Sequence, residues 1–175
     1  MSADKSSKYL DIFPSWLRTL GDDVGEVGGI VDRQPDEARR ALLGALNYLF
    51  KSLDLIPDGI DDLGYLDDAF VLRIAAVHAV AEGGSGAMLT RLAKEAADIE
   101  DFLESDYIRL NDYVMAQRES TARGRNVSDL MTDSTLFGSF RGEIAAWAKQ
   151  YTEPSFTKDV RTLTKLRAFL SAKLP

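Results

Sequence analysis

Cysteine is absent and histidine occurs once, at His78. The first absence excludes disulfides, thiolate nucleophiles and Cys-ligated zinc or iron–sulfur centres together. The second excludes multi-histidine metal sites and most catalytic triads within a single chain. Long apolar runs are also missing. The longest uncharged one, Ala41 to Phe50, falls far short of the roughly 20 residues that span a bilayer, so no transmembrane helix is expected. Basic charge is scarce, with 21 Lys and Arg against 28 Asp and Glu and a net charge of −7. A surface of that sign does not favour nucleic acid, whose phosphates need cationic contacts. The segment Met1 to Lys8 lacks the apolar core of a secretory signal, and a cytoplasmic location is the expectation that follows. Period-two alternation bounded by turn residues occurs nowhere, which leaves an all-α chain.

What is present is 175 residues, 45% apolar and 28% charged, the balance of a globular protein with a core of its own. Residues 1–175 read as a single domain, a bundle of about six helices with an irregular acidic link between two central ones. Pro14 suits the first turn of the first helix, in which Trp16, Leu17, Leu20, Val24, Val27 and Val31 recur at helical spacing. Gly21, Gly25, Gly28 and Gly29 weaken that helix by about 1 kcal/mol each relative to Ala. Their spacing permits close approach of a second helix, and rapid amide exchange is expected of the segment. Pro35, Asp36 and Glu37 start a helix that runs to about Phe50, apolar on two faces and therefore central.

Leu66 to Ala81 is apolar around most of its circumference, with Asp67 and Asp68 in its first turn and Arg73 and His78 as interruptions. Ser85 is placed to cap the next helix, whose apolar period persists from Leu89 to about Glu119. Asp106 marks either a break near Glu104 or a solvated edge. Residues 120–134 are polar and aperiodic and read as a mobile loop. Phe137, Phe140, Ile144, Trp147 and Tyr151 rebuild a helix that Glu153-Pro154 ends. Residues 156–174 form a basic amphipathic helix, with Val160, Leu163, Leu166, Leu170 and Leu174 on one side and Lys158, Arg161 and Lys165 on another.

The most unusual text is Leu53 to Asp68. Residues 51–70 carry Lys51 against six aspartates, a local balance of −5, whereas 156–175 carry five Lys or Arg against Asp159, a balance of +4. An electrically polarised molecule is expected. Pro57 pushes Ile56 out of the helical region and Asp58-Gly59 favours a turn. Leu55, Ile56, Ile60 and Leu63 are then placed to fold back as an apolar plug, with Asp54 and Asp58 accepting from turn or helix N–H groups.

Two other readings of the same carboxylates carry chemistry. Asp54, Asp58, Asp62, Asp67 and Asp68 are the candidate ligands of a Mg²⁺ or Ca²⁺ site. Asp54, Asp58, Gly59, Ile60 and Asp62 fall at positions 1, 5, 6, 7 and 9 of a calcium-loop register, but Ile56 and Tyr65 stand at positions 3 and 12, where oxygen donors are needed. Two of the aspartates could instead work as a general acid/base pair, which requires one carboxyl kept protonated by burial. His78 reads as a buried histidine bonded to a backbone group or carboxylate, and Arg73 as the partner of an aspartate in the same region.

Tyr48-Leu49-Phe50, Asp54-Leu55-Ile56-Pro57-Asp58 and Leu63-Gly64-Tyr65-Leu66-Asp67-Asp68 together resemble the signature of the YkvA-like family, a small bacterial helical domain without an established biochemical role. The resemblance covers about residues 38–81. It implies a helical core and marks Asp54, Leu55, Ile56, Pro57, Asp58, Gly64, Leu66, Asp67 and Asp68 as the family's motif positions. Ser52 and Asp61 stand where the family commonly has proline, and Gly59 where it commonly has an aromatic, which makes this link more flexible and more acidic.

The expectation is therefore a non-catalytic binding or scaffold module with a protein partner and no cofactor. A divalent-metal-dependent hydrolase using the central aspartates is the first alternative. Peripheral docking on an anionic membrane surface through Lys158, Arg161 and Lys165 is the second.

Overall fold

Two apolar helices joined by the acidic link frame the molecule. In the computed structural model, which describes residues 1–175, α2 (Asp36–Tyr48) and α3 (Leu66–Ala81) pack against each other along their lengths. α3 has no polar face, and nearly every residue on it is buried, as a helix apolar all round must be. α4 (Ala87–Leu103) and α5 (Asp106–Ala116) pack on α3, while α1 (Ala3–Ile30) crosses α3 and α4. A hairpin of β1 (Thr121–Ala122) and β2 (Arg125–Asn126), paired Thr121 to Asn126 and Ala122 to Arg125, leads into α6 (Val127–Thr132). α7 (Ser134–Gln150) then lies along α1, and α8 (Val160–Lys173) docks on α1 as well. One continuous core joins all of these elements. The fold is all-α apart from that hairpin, with eight α-helices in place of about six.

The differences from expectation have physical causes. α1 begins at Ala3, so Pro14 lies inside it and not in its first turn. An interior proline costs about 3 kcal/mol, but Tyr9 and Phe13 are wholly buried, and each such side chain contributes about 2 kcal/mol or more. Their rings meet Trp16, Phe70 and Phe102 at centroid distances of 4.9 to 5.3 Å. The long helix expected from Leu89 to Glu119 is broken at Glu104, whose φ of +54° ends α4. Gly86, not Ser85, stands at the start of α4.

Residues 120–134, expected as a mobile loop, contain the hairpin and α6. Val127 and Leu130 anchor them in the core, and strands of two residues are too short to show alternation. α8 starts at Val160 and not at Phe156, because Asp159 caps it by accepting from the Arg161 N–H at 2.8 Å. Val160 itself is exposed, whereas Leu163, Leu166 and Leu170 are fully buried.

Arg73 is 0% exposed and finds its carboxylate partners on other helices, not in the link. Its Nε donates to Glu95 at 2.8 Å, its Nη1 to the Ala69 carbonyl at 3.0 Å, and its Nη2 lies 3.5 Å from Asp23. The guanidinium also stacks 4.2 Å from the Trp16 ring centre. This ties α1, α3 and α4 together, and removing one partner from such a buried network costs on the order of 3 kcal/mol.

The glycines of α1 permit the close helix approach that their spacing suggested. A Cβ on Gly28 would stand 2.7 Å from Ile144 Cγ2, and one on Gly21 would stand 3.0 Å from the Tyr151 ring. The packed interface argues for slow amide exchange along α1, in place of the rapid exchange expected. Gly29 faces open space. Gly28→Ala is expected to lower stability by about 1 to 3 kcal/mol through overpacking against the β-branched Ile144, and Gly29→Ala to leave it unchanged or raise it by up to about 1 kcal/mol. Urea unfolding of the two variants checks the contrast.

Candidate functional site at the acidic link

The link has little regular structure with which to satisfy its own backbone. Tight turns close part of it: the Ile60 N–H donates to the Pro57 carbonyl at 3.0 Å and the Gly64 N–H to the Ile60 carbonyl at 2.9 Å. Gly64 is required there, since a Cβ would stand 2.2 Å from the Asp58 carbonyl oxygen. Leu55, Ile56 and Leu63 are buried and Ile60 half-buried, so the expected apolar plug is present between α2 and α3.

Burying the plug also buries the N–H groups of Leu55 and Ile56, which must then find acceptors. The Leu55 N–H donates to the Tyr48 hydroxyl at 2.8 Å, and that hydroxyl donates to Asp67 Oδ2 at 2.5 Å. The Ile56 N–H donates to the same Asp67 oxygen at 3.1 Å. The last residue of α2 and a first-turn residue of α3 thus hold the link from both ends. Asp67, not Asp54 or Asp58, supplies the carboxylate that accepts from the plug. Asp62 accepts from the Thr157 N–H at 2.7 Å, which pins the approach to α8.

Burial dominates the electrostatics. Asp67 is 0% and Asp68 3% exposed. Burial pushes the Asp67 carboxyl up to about 6 although the Tyr48 and Ile56 donors hold it down. Burial, and then the charge of Asp67, raises Asp68 well above the usual carboxylate range. Asp54 is pushed up to about 7 by burial and by the charges of Asp67 and Asp58, with Lys51 opposing. Asp54 Oδ1, Asp67 Oδ1 and Asp68 Oδ2 have no hydrogen-bond partner. Protonation is what makes such burial tolerable.

The five candidate metal ligands are not brought together as a set. No group of three His, Asp or Glu side chains in the molecule is arranged to hold a metal ion. Asp62 is engaged with Thr157, Asp58 is exposed, and Ile56, at one of the calcium-loop donor positions, is fully buried. An acid/base pair would need a cavity at the carboxylates, and none of the three surface cavities is lined by Asp54, Asp58, Asp67 or Asp68. His78 Nε2 lies 2.8 Å from Asn111 Oδ1, not from a carboxylate or backbone group, and burial holds it below its ordinary value.

Two of the exposed basic residues of the C-terminal segment reach oxygen partners on the protein. Lys158 pairs with Asp11 at 3.0 Å, and Lys165 Nζ lies 3.4 Å from the Asp61 carbonyl oxygen. The acidic and basic stretches are therefore neighbours, which offsets the polarity expected from their separation in sequence. Arg161 is exposed.

A cavity beside the link is a feature that sequence reasoning did not identify. Tyr65, which precedes α3 with a φ of +66°, packs against Trp147 and Tyr151 of the α7 end. With Gln150 and Thr152 these rings line a cavity of about 340 Å³. The helical spacing of Trp147 and Tyr151 was visible, but it signals core packing as readily as a pocket.

The model of a family described as a protein of unknown function, DUF1232, matches residues 38–74. That span holds most of α2, the link and the first half of α3, and it contains the motif positions on which the resemblance rests. No curated protein and no solved structure matches the chain.

Asp54 provides a pH test. Its folded pKa is raised, so its contribution to stability is fully present below the unfolded value and is lost as pH rises from about 4 through about 7. Asp54→Asn removes that loss. The stability of the variant relative to the unsubstituted protein is expected to grow across this window and then level off, as read by denaturant unfolding at a series of pH values.

Proposed function

We propose that the chain is a non-catalytic helical binding or scaffold module, cytoplasmic in location, in which the acidic link serves as the joint that fixes α2 against α3. The observation that carries this reading is the engagement of Tyr48 and Asp67 with the link's own backbone, with no cavity opening on the carboxylates. The YkvA-like relation fits the same reading, since its motif positions coincide with the joint. Leu55, Ile56, Leu66 and Asp67 are buried there, and Gly64 makes the close turn. A protein partner is the kind of ligand such a module takes. No helix is long and apolar enough to cross a membrane, and the apolar face of α8 is occupied by the core, which speaks against docking that helix on a bilayer.

Thermal and urea unfolding with and without divalent cations tests the proposal. Tyr48→Phe leaves the Leu55 N–H and the Asp67 carboxylate each short of a partner, and is expected to cost about 2 to 4 kcal/mol equally in the presence and absence of Mg²⁺ or Ca²⁺. Neither ion is expected to raise the melting temperature of the unsubstituted protein at millimolar concentration. A metal-induced rise that Asp54→Asn or Asp68→Asn abolishes would instead support the metal-dependent hydrolase.

A further inference from the structure

The cavity beside the joint has walls unlike the rest of the surface. Trp147 and Tyr151 stack on one another at 5.2 Å with their planes 26° apart, and Tyr65 stands across both, at 70° to Trp147 and 85° to Tyr151. Three half-exposed rings thus meet as a corner. The corner is rigid. The Tyr151 hydroxyl donates to the Leu17 carbonyl at 2.6 Å, tying α7 to α1. Tyr65 is held in the left-handed region that non-glycine residues seldom occupy, a local strain that the surrounding packing must sustain.

Acidic groups lie on the link side of the corner, and Arg123 lines the adjoining cavity that shares Trp147 and Gln150. The carboxyls that face the Tyr65 and Tyr151 hydroxyls are Asp54, Asp58, Asp68 and Glu153. Asp68 is buried and keeps its proton, so the negative charge here comes chiefly from the exposed Asp58 and Glu153. Glu153 also lies 3.8 Å from Arg18, a contact between exposed groups. Yet the lining itself holds no carboxylate, and its polar side chains beyond the two tyrosines are those of Gln150 and Thr152. A primary ammonium or a guanidinium brings several N–H donors that need acceptors at close range, and the corner supplies few. A cation without N–H donors needs only ring faces and a negative field.

We propose that the corner of Tyr65, Trp147 and Tyr151 binds a quaternary ammonium group. This rests on the binding-module reading and names the chemistry of its ligand. The cavity of about 340 Å³ falls within the range of small-ligand pockets, which begins at about 300 Å³, and accommodates a trimethylammonium head. The same head occurs on free choline and on a trimethylated lysine side chain, and the experiment separates those sources.

The full chain, labelled with ¹⁵N, is titrated with choline, with a short peptide carrying one trimethyl-lysine, and with 3,3-dimethylbutan-1-ol, the uncharged isostere of choline. The chain has two tryptophans, and Trp147→Phe assigns the indole N–H signal of Trp147. Choline, the peptide or both are expected to move that signal at low millimolar concentration or below, with the alcohol at least about tenfold weaker. A response to choline alone identifies a free cation as the ligand, and one to the peptide alone identifies a methylated lysine.

Tyr65→Asn removes a ring with a residue that tolerates positive φ, and is expected to weaken binding about tenfold. Gln150→Lys, on the exposed rim where packing is untouched, is expected to weaken the cations and leave the alcohol unchanged. No shift with any cation, or equal binding of the alcohol, would overturn the proposal. Either result leaves the metal-independent unfolding test of the module standing, so the two can fail separately.

Discussion

Between the end of α2 and the start of α3, a tyrosine hydroxyl and a carboxylate oxygen, both withdrawn from water, accept the two backbone N–H groups that the apolar plug buries. The chain through Leu55, Tyr48, Asp67 and Ile56 is short, but the surrounding packing depends on it. Without acceptors, Leu55 and Ile56 could not enter the core at acceptable cost. Without the plug, the apolar faces of α2 and α3 would meet water at this end. Setting the link also sets Tyr65 in its left-handed conformation and presents its ring to α7. A constraint met by two side chains is thereby transmitted to Trp147 on α7, a helix far along the chain.

The acidity of the link is less a surface charge than a store of protons. Asp67 and Asp68 are buried, and Asp54 has one oxygen without a partner, so all three hold their protons more tightly than exposed carboxylates do. The remaining charge is partly met from outside, through the Thr157 N–H and the Lys165 ammonium. This is the pattern of a joint whose carboxylates serve folding. The neighbouring aromatic corner, by contrast, has half-exposed rings and no carboxylate in its lining.

Much of the fold was legible because it rests on period and composition. The stripe from Trp16 to Val31, the all-round apolar character of α3 and the plug residues all follow from side-chain spacing or turn chemistry, and the structure has each of them, whereas spacing left a break near Glu104 and a solvated edge at Asp106 equally open. The rest depends on encounters that spacing does not encode. Tyr48 reads as one more core aromatic, because nothing local shows that its hydroxyl meets Asp67 across an irregular link. Asp54 and Asp58 stand beside turns and look like the acceptors, whereas the working acceptor lies in the next helix. Arg73 finds Asp23 and Glu95 on other helices, and Pro14 is carried inside α1 by aromatic packing that involves Phe102, far along the chain. The aromatic corner was the least legible feature, since it forms only when the end of the link meets the end of α7.

Native-state amide hydrogen exchange at Leu55 and Ile56 tests the central constraint most directly. If their N–H groups are held by Tyr48 and Asp67, both should exchange only through global unfolding, with protection matching that of the α3 core and unlike that of neighbouring Ser52 and Leu53, which are exposed. Exchange of Leu55 and Ile56 as fast as those exposed neighbours would contradict the role assigned to the joint.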